Sequence, residues 1–161
     1  RIEKGRRGMS MDLAFWKYEH PSVLSHQQVY EQLCDGAEVD GLAALPCQQI
    51  RQSVSRQFAA WESPDPYNYE QPDGQGAFSI FMCRQGTIFH CYGMYPNDLN
   101  ALIDIMLSFG CPLYDPQIGE RFDSDMSNKK KKHIPPLRCM LFCFTKQAGK
   151  RGDVSRGTAE S

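Results

Sequence analysis

Long apolar runs are scarce in this chain. The longest, Cys139 to Phe144 with its neighbours, falls far short of the roughly 20 residues that a membrane-spanning helix requires, so no transmembrane segment is expected. The basic N-terminal residues do not lead into the apolar stretch of a secretory signal, and the expected address is therefore cytoplasmic. A cysteine framework is lacking too. The seven cysteines are odd in number, widely spaced and mostly set inside apolar patterns, which points to reduced thiols. No internal repeat of solenoid length is visible. What remains is ordinary: 161 residues, 41% hydrophobic and 23% charged, which suits one domain with a single core. A collagen, a low-complexity polymer and a wholly disordered chain are excluded.

Basic residues are short in the middle of the chain. Residues 11–126 hold five (Lys17, Arg51, Arg56, Arg84 and Arg121) against 16 acidic residues, a net −11, whereas residues 1–10 carry +3 and residues 127–161 carry +7. The division is into a basic N-terminal stretch, an acidic domain and a basic tail. A field of that sign over the middle repels nucleic acid and attracts basic partners.

The flanks read differently from the middle. Gly5-Arg6-Arg7-Gly8, ahead of Met9 and Met11, back-translates into a purine-rich bacterial ribosome-binding sequence at a suitable distance before Met11. Residues 1–10 thus read as translated leader, with a genuine basic arm as the alternative. After Met126 come four lysines (Lys129 to Lys132), Pro135-Pro136, an isolated apolar patch and a Gly/Ser/Lys/Arg tail without helical or strand period. A polybasic segment can bind nucleic acid or anionic lipid. The simpler expectation is a solvated, disordered tail or a readthrough, and the function is not assigned to it.

Between the flanks, the aromatic-rich run Asp12 to Tyr18 favours a strand. A helix then starts at Ser25, with Gln28 placed to return the capping bond and Leu24 set against Val29 as a staple; Gly36 suits its left-handed stop. Cys47, Ile50, Val54, Phe58 and Trp61 recur at three- and four-residue steps, with Pro46 fitting the first turn of a second helix. From Ser63 to Gly76 the chain is polar, acidic and rich in Tyr, Pro and Gly, which reads as a loop. Ala77 to Cys83 and Thr87 to Tyr92 flank Arg84-Gln85-Gly86 as a hairpin. Asn97 can cap a third helix with Leu99, Leu102, Ile103, Met106 and Phe109 on one side and Gly110 and Pro112 as its stop. Leu113-Tyr114 and Ile118 to Phe122 can close the sheet. The expected fold is α+β: a small antiparallel sheet with helices packed on one face, in the order β-α-α-β-β-α-β. That order is compatible with a ferredoxin-like plan carrying one extra helix in the first crossover.

Chemistry is harder to find. His90-Cys91 is the only adjacent pair of a histidine and a cysteine, but neighbours on a strand point to opposite faces, so a structural histidine beside a buried, inert thiol is expected. Cys83, His90, Cys91 and Cys111 lack the spacing of a zinc site. Asp73-Gly74-Gln75-Gly76 resembles a calcium loop in composition only, and Gly74 and Gly76 precede a strand rather than a phosphate-binding helix. Asp123 and Asp125 read as solvated charge. No cofactor, no metal and no enzymatic activity are expected.

Surface residues carry more. Asp65, Glu70 and Asp73 share a segment with Trp61, Tyr67 and Tyr69, and Asp115 and Glu120 share one with Tyr114. Aromatics among acids form a recognition patch in which tyrosines supply contact area and carboxylates steer a basic partner. The alternative is that Trp61 completes the second helix's core stripe and the acids only solubilise.

Met11-Asp-Leu-Ala-Phe-Trp-Lys-Tyr, Phe89-His-Cys-Tyr-Gly-Met and Phe109-Gly-Cys-Pro-Leu-Tyr-Asp-Pro-Gln resemble segments of a group of small uncharacterised bacterial proteins, some of which look like immunity proteins of interbacterial toxin systems. The resemblance spans Met11 to Phe122 and transfers no functional residue. It adds to the expectation, drawn from the acidic middle and the missing catalytic constellation, of a non-enzymatic binding protein that neutralises a basic toxin domain; residues 62–76 and Tyr114 to Glu120, which combine acidic charge with aromatic area, are the expected contact surface. Two rival expectations are a small enzyme using Cys91 or His90, and a nucleic-acid binder acting through Lys129 to Lys132.

Overall fold

A computed structural model of the protein describes residues 9–122. The basic tail, the greater part of the leader, and Asp123 and Asp125 lie outside the described residues, and so do the expectations placed on them. The elements run β1 (Ser10–Trp16), α1 (His26–Cys34), α2 (Cys47–Gln57), β2 (Glu62–Asp65), β3 (Asn68–Glu70), β4 (Ala77–Met82), β5 (Gly86–Tyr92), α3 (Pro96–Ser108), β6 (Leu113–Asp115) and β7 (Glu120–Arg121). Every strand pairs antiparallel with its neighbours in one seven-stranded sheet of order β2-β3-β4-β5-β1-β6-β7. The protein is α+β. Among the described residues no helix is long and apolar enough to cross a membrane.

The seven-element order gains three strands. Residues 62–70, expected as loop, form the β2–β3 hairpin that extends the sheet beyond β4, and β7 pairs back on β6. The expectation of helices on one face is also overturned. Met11, Leu13 and Phe15 of β1 and Phe89 and Cys91 of β5 face one apolar cluster, which holds Ile50 and Val54 of α2 and Leu99, Leu102, Ile103 and Met106 of α3. Ala14, Trp16, Ile88 and Tyr114 face a second cluster with Val29 and Leu33 of α1. Strand residues alternate between faces, and here the sheet is covered on both.

Local signals place α1 well. Gln28 N–H donates to Ser25 Oγ (3.2 Å) and Ser25 N–H donates to Gln28 Oε1 (2.9 Å), a complete capping box. At its other end Gly36 takes φ +71°, and the Gly36 and Ala37 N–H groups donate to the Leu33 and Gln32 carbonyls (3.0 and 2.9 Å), closing a Schellman motif. The other two helices begin earlier or later than their sequence cues. Pro46 is the N-cap of α2 rather than a residue of its first turn. In α3 the N-cap is Tyr95 and Pro96 follows inside the helix. Asn97 is therefore not the cap; proline's fixed φ suits that first turn and pulls the start ahead of it.

Candidate partner-binding surface

At the sheet's outer edge, β2 and β3 are joined through Pro66 and Tyr67. Asp65 organises the corner. Its Oδ1 accepts from the Tyr67 N–H (2.7 Å), and the Asn68 amide donates to both carboxylate oxygens (3.0 and 2.8 Å). Those bonds, the Asn68 side chain foremost, hold the Asp65 carboxyl below its ordinary range and keep it ionised. Proline after aspartate is favourable chemistry for such a corner. Downstream, Asp73 Oδ1 accepts from the Gln75 N–H (2.9 Å), and Gly74 supplies the positive φ of the turn into β4.

This hairpin exposes Glu62, Asp65 and Glu70, and the turn after it exposes Asp73. Tyr67 is 42% exposed and tied to α2: Arg51 donates to its hydroxyl (3.3 Å), and the guanidinium lies 5.4 Å from its ring centre. An aromatic held in place while half-exposed is a pre-organised contact. Tyr69 is not available in the same way. Only 6% exposed, it points inward and stacks on Phe78 with ring centres 4.8 Å apart and planes 9° apart. Trp61 also packs inward, edge-on to Phe58 at 5.0 Å, and joins the core from beyond the end of α2 at Gln57 rather than as part of its helical stripe.

Two of the three candidate residues in the second expected contact segment are interior. Tyr114 and Asp115 are fully buried. Tyr114 packs against Trp16 (5.1 Å) and Tyr30 (5.6 Å) and donates its hydroxyl to Gln27 Oε1 (2.5 Å). Asp115 Oδ1 accepts from the Gln117 N–H (2.9 Å) inside the β6–β7 turn. A carboxylate beside proline reads as surface, yet β6 lies against β1 with apolar clusters on both faces, which is why all three of its residues are buried. The third candidate, Glu120, is exposed, but it sits on β7, at the opposite edge of the sheet from β2. One contact surface cannot be assembled from both segments along the sheet edge; Tyr69, Tyr114 and Asp115 leave the candidate set, and Asp65, Tyr67, Glu70 and Asp73 remain as exposed residues of the β2–β3 hairpin and the turn after it.

A second constellation escaped sequence reading. In register, Ser79 of β4, His90 of β5 and Asp12 of β1 stand side by side on the face that α1 covers only in part. His90 Nδ1 lies 2.7 Å from Asp12 Oδ1, and the Tyr30 hydroxyl donates to Asp12 Oδ2 (3.3 Å). Burial above all, with Cys34 and Asp12 beside it, pushes the Tyr30 phenol well above its ordinary range. The detectable signal was Asp12 itself, a charged residue inside an otherwise apolar strand. Cys91 turns to the other face, buried, its thiol pushed up by desolvation, which is the setting of an unreactive thiol. Among the described residues, no group of three or more His, Cys, Asp or Glu side chains is arranged to hold a metal ion. No family model matches the chain and no curated protein matches it.

Proposed function

We propose that this protein is a non-enzymatic binding protein for a basic protein partner, in its most concrete form a cytoplasmic bacterial immunity protein that neutralises a cognate toxin domain. The observation that carries the reading is the sheet edge made by β2, β3 and the turn into β4, which exposes Glu62, Asp65, Glu70 and Asp73 along with the Arg51-bonded Tyr67. Charges of one sign steer encounter, and a fixed aromatic holds the bound state. The ferredoxin-like plan belongs to the same proposal: β4-β5-β1-β6 form its four-strand centre with α2 and α3 on one face, and the hairpin is an addition at its edge.

Co-expression with the product of the adjacent gene tests the function. Toxicity of that product alone, relieved by this chain, supports it; a neighbour that is neither toxic nor bound overturns it. Replacing Asp65, Glu70 and Asp73 together with their amides slows association and flattens its salt dependence, while Tyr67→Ala speeds dissociation by about 1–2 kcal/mol. Full neutralisation by the variant carrying all four changes places the interface elsewhere.

One observation supports a second reading, a small enzyme using His90. Asp12 orients the imidazole through Nδ1, as a general base requires, and Ser79 is its cross-strand neighbour. No hydrogen bond joins Ser79 to His90 among the described residues, so the binding reading stands first. Labelling of Ser79 by a fluorophosphonate, lost in His90→Gln, reverses that order.

A further inference from the structure

Residues paired across antiparallel strands put their side chains on the same face, and the register carries that rule from one edge of the sheet to its middle. One row runs Glu62, Glu70, Ala77, Tyr92 and Ser10, and the next runs Asp65, Asn68, Ser79, His90 and Asp12. A third starts at Phe81 and passes through Ile88 and Ala14, which α1 seals. Since residues alternate along each strand, all three rows lie on the α1 side. The hairpin's carboxylates are thus continuous with the Asp12–His90 pair across the sheet.

This part of the sheet is left unbalanced. Glu62 and Glu70 stand directly opposite one another, both exposed, and like charges so placed destabilise a strand pair. Among the described residues neither has an ion-pair partner, and no position of the first two rows holds a Lys or Arg. Two exposed aromatics, Tyr92 and Phe81, flank the Ser79–His90 row on either side. From Ala77 to Phe81 the strand covers about 13 Å, which admits one helix about 10 Å across. The distance from β2 to β1, four strand spacings or about 19 Å, matches about 13 residues of helix.

We propose that the partner lays a basic amphipathic helix across this open part of the sheet, beside α1, with Lys or Arg side chains over Glu62, Asp65 and Glu70 and apolar side chains between Phe81 and Tyr92. The inference rests on the binding function proposed above and moves the contact from the sheet's edge onto its face. Charge selects the occupant. A second copy of this chain would bring the same unpaired carboxylates, whereas a cationic helix relieves the repulsion between Glu62 and Glu70. The two aromatics supply the contact area that holds the complex once it has formed.

The test titrates a synthetic helix of about 13 residues, lysine on one flank and leucine on the other, into the isotope-labelled full chain, with a glutamate-for-lysine version as control. The lysine peptide should shift the amides of Ser79, His90 and Tyr92, the glutamate peptide should not, and Ser79→Arg and Tyr92→Ala should each weaken binding about tenfold. Shifts confined to Tyr67 and Asp73, or unchanged affinity in both variants, overturn the proposal. So does self-association of the free chain that Ser79→Arg abolishes, or carbodiimide cross-linking of Lys129 to Lys132 onto Glu62 or Glu70, which makes the chain's own tail the occupant. Both variants are then tried against the product of the adjacent gene. Failure of that product to bind the unaltered chain overturns the function and the placement together; binding that survives both substitutions overturns the placement alone. Tyr92→Ala, at an exposed strand end, decides the matter where Ser79→Arg folds poorly.

Discussion

Along β1 and β5, alternate residues of the same strands face two surfaces that are finished differently. On the first, Leu13, Phe15, Phe89 and Cys91 are sealed beneath α2 and α3. On the second, Ala14, Trp16 and Ile88 are sealed beneath α1, but further along the same strands Asp12 and His90 keep about a third of their side chains in solvent and Tyr92 is 53% exposed. The cause is helix length. With nine residues, α1 spans only about 14 Å, and it seals the part of the sheet it reaches. Whether a strand residue is core thus depends on where a crossover helix lands, and the uncovered part is where polar side chains form a cross-strand row.

The largest expected effect distinguishes the two surfaces directly. Phe89→Ala, which removes a fully buried ring packed edge-on to Phe15 (5.7 Å) and Phe78 (6.0 Å), costs about 3–5 kcal/mol in urea unfolding. A loss near zero would mean that the first cluster is not a continuous core. Next, Gly86→Ala probes the seal beneath α1, because a Cβ there meets Leu33 Cδ1 at 2.8 Å. We expect about 1–3 kcal/mol from overpacking, and an unchanged midpoint would show that α1 rides loosely on the sheet.

At the margin of that seal the effect is pH-dependent. Folding raises the Tyr30 ionisation above that of free tyrosine, so the stability it confers is intact below about pH 10 and is lost as pH climbs past that point. Tm of the unaltered protein should therefore fall more steeply than that of Tyr30→Phe between about pH 9 and 11; parallel curves would remove Tyr30 from the coupling. The smallest effect belongs to the uncovered part. His90→Gln, next in sequence to Phe89, should cost about 0–1 kcal/mol, because a polar contact this exposed is screened by solvent. A cost approaching that of Phe89→Ala would erase the distinction between the surfaces.

Much of this was legible wherever the determining physics is local. The Ser25–Gln28 box, the Gly36 stop and the apolar steps of α2 and α3 depend on residues a turn or so apart, and they stand as their patterns imply, except that α2 ends at Gln57, with Phe58 as its C-cap and Trp61 beyond it. The β2–β3 hairpin was missed because Pro64 and Pro66 read as loop, although Asp65-Pro66 followed by Asn68 is equally a turn between two edge strands. Tyr69, Tyr114 and Asp115 were misjudged for a different reason: whether a tyrosine among acids faces water or core is settled by long-range pairing, here of β3 on β4 and of β6 on β1. The Asp12–His90 pair spans 78 positions, and no local pattern announces it.

The hairpin at the sheet's edge also governs how this protein meets its own kind. An outermost strand ordinarily offers unsatisfied N–H groups to any strand that drifts alongside, which is how sheets fuse into aggregates. Here Pro64 and Pro66 have no N–H to lend, and Glu62 and Asp65 would confront identical charges on a second copy. Crowded or partly unfolded chains are thereby denied a template on this side. Anything that recognises the hairpin has to read its side chains, because strand addition is closed to it.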